Sequence, residues 1–514
     1  MNYFGFGCVA VSCFLFSFVC ATQANGQIDT ADGDVFQGIT DRADILLVTS
    51  DELASAWNDF AIWKTKTGRP TKIITLSEIE ETFEGIDLQD KIRQACLAHI
   101  KDEQTRWVIL GGDSRGRNRG VVPDRDTDHT GFYKYGNLPT DIYYLSEANW
   151  DANDDGVFGS FEDDMEAVEY TNKDATIGRI PVRTAEDIAA YTSKVIGYEA
   201  AYPTDDFSQR FVYTCPERGA YPKLETSRQE LMSQWKGGEV EQFFAAKSPW
   251  DGKKDGDYDL SPKNWVEMIN SGRASKMHMH GHGILPMWIL EDESKITADS
   301  VEKLKNKNAY PVVTTVSCFT GHFDSLKDPS ITESMLRLPD AGAIAIIAPS
   351  REGIAVFHER SDMRLMVTEG KMDGTTETLT KFWQHALNGE ATIGEAFRAA
   401  RVDMTEDGKK TDGYHFVQCE LNLLGDPSLD PRASKVDAIK ANVELTRENG
   451  ASQLAISNAA NCQVCVWDGE QGYWVQELGT NGSTKVSLGE NVAKKYHVAV
   501  FGTGKNTFHT TVEK

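Results

Sequence analysis

The sequence has few basic residues for its length. Lys and Arg number 53 against 78 Asp and Glu, so the formal net charge is −25 in a chain of 514 residues. Proteins that bind nucleic acid cluster Lys and Arg on one face, and the sequence contains no such cluster. We therefore expect no nucleic-acid partner, and we interpret the acidic surface as one that keeps the protein soluble.

Cysteine is also scarce. Three of the nine cysteines precede residue 27, and the other six are Cys96, Cys215, Cys318, Cys419, Cys462 and Cys465. Six cysteines are too few for a disulfide scaffold in a chain of this size. Cys462 and Cys465 form the sole C-x-x-C pair. Without a second pair or neighbouring histidines, this pair predicts a local disulfide or two buried thiols rather than a zinc ribbon.

Long apolar runs are absent after the N-terminus. The one such run extends from about Phe4 to Val19 and is followed by small and polar residues around Ala21 and Ala24. This pattern predicts a secretory signal peptide over residues 1–26. Because no later run is long enough to cross a bilayer, we expect a mature chain without a transmembrane segment that is secreted, periplasmic or at the cell surface.

From Ile45 onward the chain alternates short apolar runs with amphipathic stretches. The runs ILLVTS (45–50), TKIITL (71–76) and WVILGG (107–112) predict strands, and the stretches between them predict helices. A β-α-β-α-β order indicates a parallel sheet covered by helices on both faces. We assign residues 40–205 to an N-terminal α/β subdomain.

A second alternating unit begins at RFVYTC (210–215) and includes the runs VVTTVS (312–317) and AIAIIA (343–348). Near-continuous Val and Ile predict strands buried on both faces, as parallel sheets require. This second α/β subdomain is expected to span residues 206–433. Over residues 436–514, short alternating runs separated by turns predict an all-β, immunoglobulin-like sandwich.

One serine lies in a motif typical of nucleophiles. GDSRG, residues 112–116, fits the G-x-S-x-G pattern and directly follows a predicted strand. That motif positions its serine only where a helix begins immediately afterwards. The continuation RNRGVVPDRD predicts a loop instead, so we do not assign Ser114 as a nucleophile.

Three histidines follow one another along a predicted strand. SKMHMHGHGI (275–284) places His278, His280 and His282 at every second position, so their side chains share one face. Neutral imidazole is a common metal ligand, and a metal-dependent hydrolase using these three residues is one hypothesis. No H-E-x-x-H pattern completes such a site. The alternative is that His278 and His280 pack along the strand.

His282 differs from its neighbours because Gly281 and Gly283 flank it at the carboxyl end of the strand, where open parallel sheets place their active sites. The next buried run ends at Cys318, and 318 − 282 = 36 residues allow one crossover and return to the same sheet edge. An imidazole there would activate the thiol and protonate the leaving amine. The backbone N–H groups of Gly283 and Cys318 would face the oxyanion. The other interpretation is that Cys318 is a small buried hydrophobe.

Several fragments in this order resemble one family. MHGHGI, TVSCFTGHF, AGAIAIIAPS and NLLGDPSL, preceded by WVILGGD, TDIYY and IGRIPVRTAEDI, are similar to the gingipain family of cysteine peptidases over roughly residues 40–432. The resemblance implies a caspase-like α/β core and hydrolysis of peptide bonds in protein or peptide substrates. It also implies that His282 is the catalytic histidine, that Cys318 is the nucleophile, and that Glu217, in CPERG, orients His282.

The chain departs from the family at two places. Arginine-specific members carry an aspartate a short distance beyond the orienting glutamate, where this chain has Ser227 and Arg228. His322 stands where gingipains have an aspartate. The resemblance therefore does not imply that this chain prefers arginine in its substrates.

The stretch DANDDGVFGSFE matches the pattern D-x-[DN]-x-[DN]-G-x5-E of calcium loops. The side chains of Asp151, Asn153, Asp155 and Glu162 and the carbonyl of Val157 supply hard oxygen ligands that suit Ca²⁺. We therefore expect a structural calcium site in the N-terminal subdomain, although a solvated acidic turn would have the same composition.

The sequence thus predicts an exported cysteine endopeptidase with catalytic residues Cys318, His282, Glu217 and Gly283. Two other hypotheses are a metal-dependent hydrolase built on the three histidines and a catalytically inactive, peptidase-like binding protein.

Overall fold

A computed structural model describes most of the chain. The described residues are 37–38, 42–114, 121–130, 137–215, 233, 239–245, 258–290, 293–326, 328–354, 374–388, 392–448, 451–470, 472–488 and 493–513. The predicted signal peptide, residues 1–26, lies outside these ranges.

One large sheet forms the centre of the described structure. Its strands, in chain order, are β1 (Ile45–Thr49), β2 (Thr71–Thr75), β3 (Trp107–Gly111), β4 (Thr176–Ile180), β5 (Arg210–Cys215), β6 (Glu239–Ala245), β7 (Tyr258–Leu260), β8 (Lys276–Met279), β9 (Val312–Thr315), β10 (Ala345–Pro349) and β11 (Leu421–Gly425). Across the sheet they follow the order β7-β6-β5-β8-β9-β10-β11-β4-β3-β1-β2. All neighbouring pairs are parallel except β10 and β11, which are antiparallel.

The predicted mixed α/β core is therefore confirmed, with one difference in its arrangement. The strands of the two predicted subdomains form two parallel blocks within a single sheet. β11 comes from the end of the second unit but runs parallel to β4 of the first. Because β11 also pairs with β10, it joins the two blocks through backbone hydrogen bonds.

Helices cover the sheet. They are α1 (Asp51–Ala54), α2 (Asn58–Lys66), α3 (Leu76–Thr82), α4 (Leu88–Asp102), α5 (Ala185–Ala200), α6 (Pro262–Asn270), α7 (Ala298–Val301), α8 (Ile331–Arg337), α9 (Gly374–Leu387), α10 (Ile393–Lys410) and α11 (Asp412–Glu420), and 3₁₀ turns lie at Ser55–Trp57, Ile142–Leu145 and Asp206–Gln209. Local sequence explains several starts. Thr184 before α5, Ser330 before α8 and Thr392 before α10 each form a reciprocal capping box with an acidic residue three positions later.

Both faces of the sheet are buried. Along β1, Ile45 and Leu47 pack into one hydrophobic cluster, whereas Leu46 and Val48 pack into another. Successive side chains of a strand point to opposite faces, so the two clusters lie on the two sides of the sheet. The near-continuous apolar composition of this strand follows from that double burial.

The C-terminal residues form antiparallel sheets around a separate core. One sheet contains Gln37–Gly38, Gly472–Glu477, Gln463–Trp467, Lys495–Phe501 and Phe508–Glu513, and another contains Asn442–Glu448, Ala451–Ser457 and Thr484–Ser487. Leu454 and Ile456 of the second sheet share a cluster with Val464 and Val498 of the first. The predicted all-β region is thus present, and its immunoglobulin-like topology stays a prediction. Cys462 and Cys465 are two buried free thiols.

Candidate active site

The sequence segments that carry His282 and Cys318 follow neighbouring parallel strands. β8 and β9 pair in register, with His278 opposite Thr314 and Met279 opposite Thr315. Both strands therefore end at the same edge of the sheet, as the 36-residue spacing predicts. After β8 the chain turns through Gly281, and His282 opens a short strand, His282–Ile284, that pairs with Met287–Ile289.

Gly283 brings these two segments into direct contact. A β carbon at Gly283 would lie 2.5 Å from the carbonyl oxygen of Cys318, 2.8 Å from Cγ2 of Thr320 and 3.0 Å from Cβ of Ser317. Separations below 3.0 Å are essentially never found for a real β carbon, so only glycine permits this approach. The backbone beside His282 therefore packs against the turn that carries Cys318.

Cys318 itself is partly exposed and His282 is exposed. The sulfur of Cys318 lies 3.8 Å from the carbonyl oxygen of Gly353, within reach of a weak S–H···O contact. Burial, together with the nearby carboxyls of Glu420 and Glu352, raises the pKa of the Cys318 thiol to about 11. At neutral pH the thiol in this arrangement holds its proton, so its attack on a carbonyl requires a base.

The turn after Cys318 has an unusual backbone conformation. Phe319 has φ of 58°, a left-handed value that costs free energy in a residue with a β carbon. Two hydrogen bonds hold the turn against the end of β10 and the residues that follow it. The N–H of Phe319 donates to the carbonyl of Arg351 at 2.6 Å, and the N–H of Gly321 donates to that of Pro349 at 2.9 Å.

Charged side chains also link the turn after Cys318 to the residues that follow β10. Arg351 donates from both terminal nitrogens to the two oxygens of Asp324, at 2.9 and 2.8 Å. His322 contributes a contact of 3.0 Å between its Nε2 and Oδ1 of Asp324. These partners hold the pKa of the Asp324 carboxyl well below its usual range, even though burial acts in the opposite direction. His322, the position of departure from gingipains, is therefore part of a charged network beside the Cys318 turn.

A buried carboxyl lies behind the turn. Glu420 is fully buried, and its Oε1 accepts a hydrogen bond of 2.6 Å from the hydroxyl of Thr375. The same hydroxyl oxygen accepts from the N–H of Ile354 at 3.0 Å, next to Gly353. Burial raises the pKa of Glu420 well above its usual value. Sequence reasoning missed Gly353 and Glu420, since neither occurs in a recognisable motif.

Two of the three histidines of the stripe belong to the core. His278 is buried, stacks on Tyr213 at 5.1 Å and contacts the hydroxyl of Thr314 through Nδ1 at 2.8 Å. Burial lowers the pKa of His278 to about 3 and, with the charge of His282, that of His280 to about 4. His278 is thus engaged as a packed, neutral side chain, which favours packing over a three-histidine metal site.

Three positions discussed from the sequence lie outside the described residues, and the serine of the GDSRG motif does not have the surroundings of a nucleophile. Glu217, Ser227 and Arg228 lie outside the described ranges. Ser114 is buried, and its hydroxyl donates to the carboxylate of Asp124. A hydrogen bond to Asp124 thus occupies that hydroxyl.

The predicted calcium loop folds around Asp151. One carboxylate oxygen of Asp151 accepts from the N–H of Asp155 at 2.9 Å, and the other accepts from Gly156 at 3.0 Å. Oδ1 of Asn153 also accepts from the N–H of Asp155, at 3.2 Å, and the N–H of Val157 donates to Oδ1 of Asp155 at 2.8 Å. Gly156 provides the bend, with φ of 81°.

The two acidic residues that end the loop differ in burial. Glu162, the predicted last ligand, is exposed. Asp164 is buried instead and accepts from the N–H groups of Ala152 and Ser160, at 2.7 and 2.9 Å. Burial, with the charges of Asp151 and Asp155, raises the pKa of Asp164. Sequence reasoning missed Asp164, which closes the loop at two points.

No helix among the described residues is long and apolar enough to span a bilayer.

Comparison with known proteins identifies the family. The profile of peptidase family C25 matches residues 39–432, which is more than half of the chain. No curated protein matches the sequence. Among solved structures, the Arg-specific cysteine proteinase gingipain R aligns over 92% of this chain and 98% of its own, with 18% identity and a TM-score of 0.65.

A second structure, the complex of pro- and mature domains of Porphyromonas gingivalis RgpB, aligns over 92% of this chain and 100% of that chain, with 18% identity and a TM-score of 0.64. At this identity the structures show a shared fold, and the profile carries the assignment. The chain belongs to peptidase family C25, and it is a cysteine peptidase.

Proposed function

We propose that the protein is an exported cysteine endopeptidase in which Cys318 and His282 form the catalytic dyad. The observation that carries this proposal is the contact between Gly283 and the carbonyl of Cys318, because it joins the histidine-bearing strand to the cysteine-bearing turn at one edge of the sheet. Membership of a peptidase family supports proteins or peptides as substrates.

The chemistry assigned to the dyad has two halves. In the first, His282 takes the thiol proton as Cys318 Sγ bonds to the scissile carbonyl carbon. The C–N bond then breaks, and the imidazolium gives its proton to the departing amine. In the second half, the oxygen of a water molecule attacks the thioester carbon while His282 takes a proton from that water. The C–S bond then breaks, and His282 returns the proton to the sulfur of Cys318. The raised pKa of Cys318 supports a proton transfer coupled to attack rather than a resident thiolate.

Two further roles complete the proposal. The N–H groups of Gly283 and Cys318 stabilise the oxyanion, and Glu217 orients the imidazole of His282. Export rests on the N-terminal apolar run, which predicts a signal peptide over residues 1–26.

Hydrolysis of a labelled general protein substrate tests the dyad. Cys318→Ala is expected to abolish hydrolysis, and His282→Ala to reduce it by about 10²- to 10⁴-fold. Cys96→Ser, which removes a buried thiol in α4, is the matched control and should retain activity. Hydrolysis by Cys318→Ala at the rate of the unaltered chain would refute the proposal. Inactivation by a zinc chelator with resistance to iodoacetamide would favour the metal-dependent alternative.

We also propose that the loop Asp151–Glu162 binds Ca²⁺. The oxygen atoms of Asp151, Asn153 and Asp155 lie around one tight bend, and burial, with a smaller contribution from the charges of Asp151 and Asp155, raises the pKa of the adjacent Asp164. These hard, anionic ligands fit calcium. The side chains of Asp151, Asn153, Asp155 and Glu162 with the carbonyl of Val157 would hold the ion, whose charge would neutralise the crowded carboxylates and stabilise the loop.

A further inference from the structure

Two histidines and a cysteine that have no role in the proposed peptidase chemistry meet in the core. His415 and Cys419 lie four residues apart on α11 and therefore on one face of the helix. His129 follows the short strand Arg125–Asp128. One nitrogen of each imidazole and the sulfur of Cys419 all lie within 4.8 Å of one another, and all three residues are buried. We call these residues the His129 cluster.

The hydrogen bonds of His415 define its tautomer. Its Nε2 lies 2.7 Å from the carbonyl oxygen of Gly159, which can only accept, so Nε2 carries the proton. Nδ1 therefore holds the lone pair, and it accepts from the hydroxyl of Tyr170 at 2.7 Å. The sulfur of Cys419 is 3.9 Å from this same Nδ1. Metal-binding histidines are commonly oriented by a hydrogen bond of this kind from one ring nitrogen to a carbonyl. For Nδ1 to bind an ion, the hydroxyl of Tyr170 must give up its hydrogen bond to that nitrogen.

The tautomer of His129 follows from a second chain of hydrogen bonds. The hydroxyl of Thr127 donates to the carbonyl of Leu138 at 3.0 Å, so its oxygen accepts from Nε2 of His129 at 3.1 Å. The lone pair is then on Nδ1, which has no hydrogen-bond partner among the described residues although it is buried. A buried nitrogen without a partner loses its hydration at a cost in stability.

A carboxylate faces this nitrogen. Oδ1 of Asp412 lies 3.8 Å from Nδ1 of His129 and is likewise without a hydrogen-bond partner in the described structure. Nδ1 of His129 and Oδ1 of Asp412 are thus two buried ligand atoms that face each other without a hydrogen bond, an arrangement that a bound cation satisfies.

We propose that the His129 cluster binds a structural zinc ion, with His129, His415 and Cys419 as ligands and the carboxylate of Asp412 as the fourth. Two nitrogens and a sulfur favour Zn²⁺ over the hard cations Ca²⁺ and Mg²⁺. Tetrahedral zinc with ordinary bond lengths separates N and S ligands by about 3.6 Å, so the 3.9 Å between Cys419 and His415 closes with a small movement. The thiol of Cys419 releases its proton to solvent when the ion binds.

The position of the His129 cluster in the fold indicates a structural role for the bound ion. His129 directly follows the strand Arg125–Asp128, and His415 is hydrogen-bonded to Gly159 in the predicted calcium loop. α11 leads directly into β11, the strand that joins the two blocks of the sheet. Zinc at this place ties the irregular part of the N-terminal unit to the centre of the sheet, and this role is independent of the proposed peptidase chemistry.

Cobalt substitution tests the proposal in the full-length chain. We would use the Cys318→Ala background, because a thiol and imidazole at the candidate active site are a second possible zinc ligand pair. After treatment with a chelator and gel filtration, added Co²⁺ should be retained at one equivalent per chain and give a thiolate-to-cobalt charge-transfer band that Zn²⁺ abolishes. Adding Cys419→Ser should abolish the band and lower retained cobalt at least tenfold, whereas Cys96→Ser should change neither.

The background chain alone decides the outcome if Cys419→Ser does not fold. A folded background chain that retains no cobalt, or retains it without a thiolate band, overturns the proposal and leaves the cluster as a hydrogen-bonded core. Equal retention by the Cys419→Ser chain overturns it as well. His129→Gln provides a second test in which the thiol is kept, and it should weaken cobalt retention at least tenfold.

Discussion

The α carbon of Gly283 faces the carbonyl oxygen of Cys318 so closely that a β carbon would lie 2.5 Å from it. Gly283→Ala should therefore push the His282 strand away from the Cys318 turn. We expect kcat/KM to fall by about 10- to 100-fold, since a displacement of about 1 Å misaligns a nucleophile and its base. Steady-state kinetics on a peptide substrate measure this effect.

Gly281→Ala is the matched control for this change. A β carbon at Gly281 meets nothing closer than 3.8 Å, from the carbonyl of Ile289, and therefore fits without movement. Near-normal activity of Gly281→Ala with loss in Gly283→Ala supports the contact. Equal activity of the two variants would contradict it.

A second prediction concerns calcium. If the loop binds the ion, saturating Ca²⁺ should raise the unfolding temperature of the unaltered chain by several degrees, since a ligand at 100 times its Kd adds about 2.7 kcal/mol. Asp151→Asn should lose most of this shift, because Asp151 is the residue around which the loop folds. Differential scanning fluorimetry with Ca²⁺ or a calcium chelator measures it.

Asp154→Asn is the appropriate control for the calcium loop. Asp154 is an exposed neighbour at a non-ligand position, and its φ of 59° suits asparagine as well as aspartate. This variant should keep the full calcium-dependent shift. An unaltered chain whose unfolding temperature does not respond to Ca²⁺ would refute the calcium site.

Buried histidines predict loss of stability in acid. The pKa of His278 is lowered from 6.5 to about 3, so the unfolded chain binds a proton that the folded chain excludes. The stability due to the neutral form is complete above pH 6.5 and is lost as the pH falls towards 3. Between pH 6.5 and 5 this amounts to about 2 kcal/mol.

The pH dependence can be measured by urea unfolding. His278→Gln should reduce the slope of the free energy of unfolding against pH below 6.5, because the variant removes the group whose protonation differs between the folded and unfolded chain. A slope in His278→Gln equal to that of the unaltered chain would show that His278 does not contribute.

A buried ion network joins α2 and α5, and we expect the loss of one of its charges to lower the free energy of unfolding substantially. Lys64, which is fully buried, lies 3.0 Å from Glu199 and 2.7 Å from Asp426. Glu199 also accepts from Trp63 and Arg69, and together with Lys64 they hold its pKa near 2 despite burial. Glu199→Ala should cost about 3–5 kcal/mol because it removes one partner of a buried pair.

The control for this variant is Glu103→Ala. Glu103 pairs with Lys72 at 2.8 Å, but both side chains are partly exposed, so its loss should cost about 0–1 kcal/mol. Denaturant unfolding compares the two variants. A cost for Glu199→Ala as small as that for Glu103→Ala would mean that the buried network adds little.

The sequence predicts much of the sheet because burial on both faces leaves a local signal. The runs at Ile45 and Ala345 are almost entirely apolar, the run at Val312 combines two valines with two buried threonines, and each forms a strand. β11, Leu421–Gly425, was not predicted. It occupies the centre of the sheet between strands far away in sequence, and only tertiary pairing defines that position.

The sequence predicts those parts of the candidate site that a local pattern marks, and it misses the parts that only tertiary packing brings together. Glycines beside His282 and a cysteine at the end of the next buried strand mark that pair, although only the fold reveals how closely Gly283 approaches Cys318. Glu420 and Asp164 contact their partners through tertiary packing, which no spacing encodes. The His129 cluster had one local signal, the four-residue spacing of His415 and Cys419, and the pairing with His129 comes from the fold.

Covalent trapping tests the central claim most directly. The full-length chain is treated with a set of peptidyl acyloxymethyl ketones that differ in the P1 residue, and the modified residue is located by tandem mass spectrometry. The account predicts a thioether on Cys318 alone, formed in step with loss of peptidase activity and absent in His282→Ala. Loss of activity with modification of another cysteine, or with Cys318 unmodified, would contradict it.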